Sequence, residues 1–283
     1  MRFFYKSSII FAVVVCLLRV ECGGTPSGAV ETVAPPVLKP ETLVGEVLTY
    51  SVGFWIFRKA ATGKLSLQRD GERYVATFEA ETAGFLKLVT EYRKEVMRST
   101  MRYDNATKRL RPEMFEEIYT QGDHEVVRTV LFDYEQKRYR FSWKRNERTV
   151  FSVNRAFPKR PFDDLLSFFY NLRLGAFGPV QAGEKKSACI VAKTSPGNIV
   201  IDFAGPGRKR KGPGKWFGTL TLDREMTQAH SEQVSCWFSS ELVPVKGVVE
   251  DAVFFGDLKI RLTGQARAEG PQKVIDSATV TTR

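Results

Sequence analysis

Apolar and polar residues alternate one for one through segment after segment of this chain. From Glu46 to Phe57 the apolar set is Leu48, Tyr50, Val52, Phe54 and Ile56; from Arg138 to Arg145, Tyr139, Phe141 and Trp143 alternate with Arg140, Ser142 and Lys144. A period of two puts each set on one face of an extended strand, so the pattern dictates half-buried strands, apolar side in and basic side out. Asp70-Gly71, Asp104-Asn105 and Gly122-Asp123 supply the tight turns between them. About a dozen such strands follow one another with no βαβ rhythm and no tandem repeat. The expected fold is all-β: one antiparallel domain, barrel-like or a strongly curved sheet of about a dozen strands, with one short helix packed on it.

That helix is the exception in the pattern. Phe162 to Arg173 reads FDDLLSFFYNLR, with Leu165, Leu166, Phe169 and Leu172 at helical spacing and Phe168 and Tyr170 widening the stripe. Asp163 or Asp164 caps its start by accepting free first-turn N–H groups, Arg173 faces the negative end of the dipole, and Gly175 ends it. So apolar a helix must lie against or inside the sheet.

The 283 residues carry a formal charge of +11. Arg2, Lys6 and Arg19 against Glu21 leave about +9 for the remainder, a balance that suits an anionic partner. Twenty-one Phe against two His is a composition for packing rather than for metal or acid–base chemistry. Residues 1–24 have a basic start, an apolar core from Ile9 to Leu18 too short to span a bilayer, and a small-residue exit. They are expected to be a cleaved export signal, placing the protein in the periplasm or cell envelope. Lipidation at Cys22 is the lesser alternative, because Glu21 directly precedes the cysteine. Residues 25–44 read as a flexible linker, 45–263 as the β-rich domain and 264–283 as a disordered tail. Of the cysteines in the domain, Cys189 and Cys236 could form a disulfide in an oxidising compartment or stand as two buried thiols.

Several segments occur together in a familiar order: GEVLTYSVGFW, FDYEQKR, DDLLSFFYNLR with its following Ala-Gly turn, and WFSSELVPVKGVVEDAVFFGDLKIRL. Together they resemble the exported family called domain of unknown function 3108 (DUF3108), of Gram-negative envelope proteins. The resemblance covers roughly residues 45 to 263 and implies an envelope location and a β-rich, barrel-like domain. It implies no catalytic residues. The basic loop at Arg208 to Lys211 looks like an insertion relative to the family pattern.

Candidate chemistry is sparse. Arg208, Lys209, Arg210 and Lys211, framed by Gly and Pro, could clamp the phosphates of a lipid or glycan or stand as a solvated hairpin tip. No reading helix or aromatic RNA-binding motif accompanies them, so nucleic acid is not an expected partner. Glu116, Glu117 and Asp133, and separately Glu250 and Asp251, read as surface charge, since adjacent strand residues point to opposite faces. His124 and His230 have no second histidine at ligand spacing, and the glycines at 205, 207, 212 and 214 lack the Lys-Ser/Thr ending of a phosphate loop. No metal or cofactor is expected. Phe54, Phe78, Phe141, Trp143, Phe168 and Phe169 could line a cavity for an acyl chain, or simply fill the core. The expected function is a non-enzymatic binding or carrier module for a lipid, glycolipid or envelope polymer, peripherally associated with the membrane. The alternative is a structural or assembly partner in an envelope protein complex.

Overall fold

The computed structural model describes residues 38–54, 57–84, 92–205, 210–223, 233–253 and 256–267. Eight strands form an antiparallel meander: β1 (Glu46–Phe54), β2 (Phe57–Asp70), β3 (Arg73–Thr82), β4 (Arg93–Asp104), β5 (Arg109–Gln121), β6 (His124–Asp133), β7 (Arg138–Arg145) and β8 (Arg148–Ala156). The short β9 (Phe162–Asp163) leads into the helix α1 (Leu165–Arg173). A second meander follows: β10 (Lys185–Ile190), β11 (Gly197–Phe203), β12 (Trp216–Leu222), β13 (Gln233–Phe238), β14 (Pro244–Val253) and β15 (Gly256–Arg267). All fifteen strands belong to one sheet, β8-β7-β6-β5-β4-β3-β2-β1-β15-β14-β13-β12-β11-β10-β9.

The first and last strands meet in the middle of this sheet, with Glu46 opposite Arg267 and Phe54 opposite Leu258. Each meander is thus a wing hinged on the β1–β15 ladder. Register breaks at Thr49/Tyr50, Thr100/Met101 and Trp143/Lys144 bend the strands, as a β-bulge does. The second of these admits Pro112, which opposes Met101 where a regular ladder would have wanted its missing N–H. The wings curl toward each other. Phe162 stacks on Phe132 at 5.5 Å between centroids, and the Tyr139 hydroxyl donates to the Thr194 carbonyl at 2.9 Å. No ladder joins the two edge strands β8 and β9, so the curved sheet is not closed.

Helix α1 fills the space between the wings, and all nine of its residues are buried. Asp164 is the cap: its carboxylate accepts from the N–H groups of Leu166 and Ser167, both at 2.8 Å, while the Ser167 hydroxyl accepts from the Asp164 N–H at 2.8 Å. Around the helix a single core takes Leu48, Val52, Leu67, Met97, Met101 and Leu110 from one wing, and Ile190, Ile199, Phe203 and Leu220 from the other.

Several expectations need correction. Among the described residues the strands number fifteen rather than about a dozen. The helix begins at Leu165, because Phe162 and Asp163 pair in parallel with Cys189 and Ile190. The domain reaches beyond both expected limits: Leu43 is in the core and Pro40–Thr42 form a 3-10 turn, while β15 runs on to Arg267 because β1 supplies a partner as far as Glu46. The expected linker from 38 to 44 and the expected tail from 264 to 267 are therefore folded. The signal segment, the rest of the linker and the rest of the tail lie outside the described residues.

The Cys189–Cys236 bridge is excluded. Cys189 lies on β10 and Cys236 on β13, with β11 and β12 between them, and both thiols are free. Three strand spacings amount to about 14 Å, twice the reach of a disulfide. The two behave as buried small hydrophobes, and burial pushes the Cys236 thiol far up.

Candidate functional site

The helix and the second wing do not close completely on each other. Between them is a cavity of about 40 Å3. Its walls come from Leu165, Leu166, Phe168, Phe169 and Leu172 of α1, from Tyr50, Leu65 and Phe78 of the first wing, and from Ile201, Cys236, Phe238, Gly247 and Ile260 of the second. Leu242 and Pro244, at the turn between β13 and β14, border it as well. Lys246 also borders this space, but its ammonium lies over the Trp237 indole at 4.1 Å, on the other face of β14. The walls are thus aliphatic and aromatic, with the Cys236 thiol among them. A space of this size admits a short alkyl segment or two or three waters.

Of the six aromatic residues expected around a cavity, Phe78, Phe168 and Phe169 line it. Phe141 and Trp143 do not: they lie on β7, where Phe141 packs with Phe151 at 6.2 Å between centroids. Phe54 sits at the end of β1, half-buried and outside the cavity wall. Phe54, Phe78, Phe141 and Trp143 lie on strands β1, β3 and β7, and strand order keeps Phe141 and Trp143 away from the helix residues Phe168 and Phe169.

Of the basic loop, Arg208 and Lys209 lie outside the described residues. Arg210 is exposed and ion-paired with Glu250 at 3.0 Å, so a surface carboxylate already engages it. Its carbonyl accepts from the Trp237 indole N–H at 3.2 Å, which ties this end of the loop to the outer face of β13. Lys211 is exposed.

Two buried polar groupings were not expected. The first surrounds the helix start. Asp163 pairs with Arg109 and accepts from Asn171 Nδ2 at 2.7 Å, while Asp164 accepts from the Ser99 hydroxyl at 2.5 Å. Burial pushes Asp163 up to about 6, against the pull of Arg109, and Asp164 up to about 7, against its hydrogen bonds from Ser99 and the helix N–H groups. At the other helix end Arg173 forks onto Glu46, which also accepts from Gln265 Nε2 at 3.1 Å.

The second grouping contradicts the assignment of Glu117 to the surface. Glu117 is buried and paired with Arg128 of β6. Its neighbour Glu116 faces outward, as the alternation requires. Glu95 of β4 is diagonal to Glu117 on the same inner face, since Tyr119 opposes Glu95 and Met97 opposes Glu117. Glu95 is 1% exposed, and neither of its oxygens has a hydrogen-bond partner among the described residues. Burial holds its carboxyl well above the ordinary range and the Glu117 charge adds to this; Arg93, Arg128 and Lys193 oppose it. Burial in turn lowers Lys193. At such burial Glu95 touches no solvent-borne substrate in this conformation. Among the described residues no group of three or more His, Cys, Asp or Glu could hold a metal ion, and no helix is long and apolar enough to cross a membrane. Glu95 was missed because it lies in a charged stretch, Glu81 to Met101, without a clear period; the signal was one carboxylate at an inward register position.

The fold resembles the crystal structure of a beta-barrel-like protein of domain of unknown function DUF1849 from Brucella abortus, at 9% identity and a TM-score of 0.45, over 81% of this chain and 99% of that one. No curated protein matches the sequence. The match to the family described as protein of unknown function (DUF3108) spans residues 49–263, from the third residue past the start of β1 into β15. With three-quarters of its length inside that match, the chain belongs to the DUF3108 family.

Proposed function

We propose that this chain is a non-enzymatic binding protein of the cell envelope, and that it holds the apolar chain of a lipid or glycolipid between α1 and the second wing. The observation that carries this reading is the cavity, with apolar walls and the one bordering ammonium turned away onto Trp237. A charged group would be costly there, whereas each buried methylene gains about 0.8 kcal/mol. The resting volume takes a short alkyl segment, and a longer chain enters as Phe169 and Leu242 move aside. The head group stays outside, where the basic surface suits an anionic one.

The reading is tested with 11-(dansylamino)undecanoic acid as probe. Saturable binding of one molecule per chain is expected, with loss of at least tenfold in affinity for Leu65→Phe, which fills the cavity. Far-UV circular dichroism and the melting temperature show whether that variant is folded. No saturable binding, or equal binding by a folded Leu65→Phe chain, overturns the proposal. Fractionation of the source cells checks the envelope location, and the protein appearing with the cytoplasmic fraction refutes it.

A further inference from the structure

The edge strand β8 is unlike any other strand in the sheet. Eight of its nine residues are exposed, and Val153 alone is half-buried. Phe151, opposite Trp143 on the concave face, is 44% exposed, and Val150, the extra residue at the Trp143/Lys144 bulge, is 53% exposed. Val153 alone of β8 packs against the core beneath the concave face, and the rest of the strand extends past it. Among the described residues β8 pairs with β7 alone, so alternate N–H and C=O groups along its other side form an open ladder edge.

The charge on the two strands of this hairpin is one-sided. β7 and β8 read RYRFSWKR and RTVFSVNRA, which contain six cations and no carboxylate. Arg138, Arg140 and Lys144 project from the outer face, with Arg148 and Arg155 along the edge strand itself, all exposed. Asn146 and Glu147, both at positive φ, make the tight turn between the strands. An uncovered edge is a hazard for self-association, and proteins blunt such edges with bulges, as at Val150, and with charge. Here one sign of charge does so. It also selects what can pair.

We propose that β8 is a docking edge for an acidic, extended segment of a partner protein, which adds to the sheet as a sixteenth strand. Only another extended backbone satisfies a row of open ladder groups; anionic head groups or free phosphate neutralise arginines without pairing with the strand. A second copy of this chain is disfavoured, because β8 against β8 brings two cationic hairpins together. Acidic side chains toward the two ends of the incoming strand face Arg148 and Arg155, and apolar ones between them cover Val150 and Phe151. This surface is separate from the cavity under α1 and does not depend on it.

The test uses the full chain and three nine-residue peptides. One has Glu at both ends and Val between them, one carries Lys in place of Glu, and one is the Glu peptide N-methylated at alternate residues, so that its pairing edge has no N–H groups. The Glu peptide is expected to bind, to lose at least tenfold in affinity on N-methylation and again with the Arg148→Glu/Arg155→Glu chain, and to slow amide hydrogen exchange across residues 148–156. The Lys peptide is expected not to bind. Equal affinity for the N-methylated peptide would show simple charge attraction and overturn the proposal. So would slow exchange of these amides in the free chain, dimers held through β8 in sedimentation, or phosphatidylglycerol vesicles, and not the Glu peptide, slowing exchange across residues 148–156.

Discussion

The side-chain amide of Asn171 pairs with the backbone of Leu110 as another strand would: Oδ1 accepts from the Leu110 N–H at 2.7 Å, and Nδ2 donates to the Leu110 carbonyl at 2.9 Å. A helix residue thereby satisfies β5 backbone in a place no solvent reaches. Asn171→Leu orphans both groups, at about 1–3 kcal/mol each. Urea unfolding is expected to show a loss of about 3 kcal/mol or more. An unchanged midpoint would show that the helix is not anchored through this residue.

Arg173 and Glu46 are a second anchor, both nearly fully buried. Removing one partner strands a charge in the core, so Arg173→Met alone is expected to cost about 3–5 kcal/mol. Arg173→Met with Glu46→Leu removes both charges and is expected to recover most of that loss. If the double variant is as unstable as the single one, packing rather than charge explains the effect.

Tyr170 offers the opposite case. It is fully buried on α1, and its hydroxyl has no hydrogen-bond partner among the described residues. Deleting an unsatisfied hydroxyl removes a desolvation cost of about 1–3 kcal/mol. Tyr170→Phe is therefore expected to leave the protein equally stable or more so, by thermal melting. A drop of several degrees would reveal a partner that the hydroxyl needs.

Glu95 makes stability depend on pH in an unusual direction. Its folded pKa is raised, so the folded state holds a proton that the unfolded chain releases. That contribution is fully present below about 4.3, the unfolded glutamate value, and is lost as pH rises through the folded value. Asp164, raised to about 7, acts in the same sense. The unfolding free energy is expected to fall between mildly acidic and mildly alkaline pH. Glu95→Gln, which stays neutral, is expected to flatten part of that fall and to be more stable than the native chain at the alkaline end. A parallel pair of profiles would show that Glu95 does not carry the effect.

Phe169 is packed at right angles against Tyr170, with ring centroids 5.0 Å apart, and forms part of the cavity wall. Phe169→Ala is expected to cost about 3–5 kcal/mol, as truncation of a buried aromatic does. Enlarging the cavity is expected to strengthen binding of the dansyl fatty acid and to recover stability in its presence. A variant as stable as the native chain would place α1 outside the core.

What was legible in the sequence is what short-range geometry controls. The inward set Tyr139, Phe141 and Trp143 and the outward set Arg140, Ser142 and Lys144 follow from the two-residue period of any strand, and the structure keeps that division. The turn at Asp70-Gly71 follows from the positive φ of Gly71, and the capping of α1 by Asp164 from the reach of one carboxylate over one helical turn. Strand order is not local. It separates Cys189 from Cys236 by two strands, spreads the four strand aromatics so that only Phe78 of them meets Phe168 and Phe169 of α1 at the cavity, and pairs Phe162 and Asp163 with β10 instead of winding them into the helix. Alternation places Glu117 on one of two faces, but only the second wing, arriving with Lys193, decides that this face is sealed. The sequence alone determined most of the strands and turns and the one α-helix among the described residues, because each depends on neighbours a few residues away. The tertiary structure alone decided which inward residues share a cavity, which carboxylates lose their water and which edge stays open, because those depend on how the two wings curl around α1.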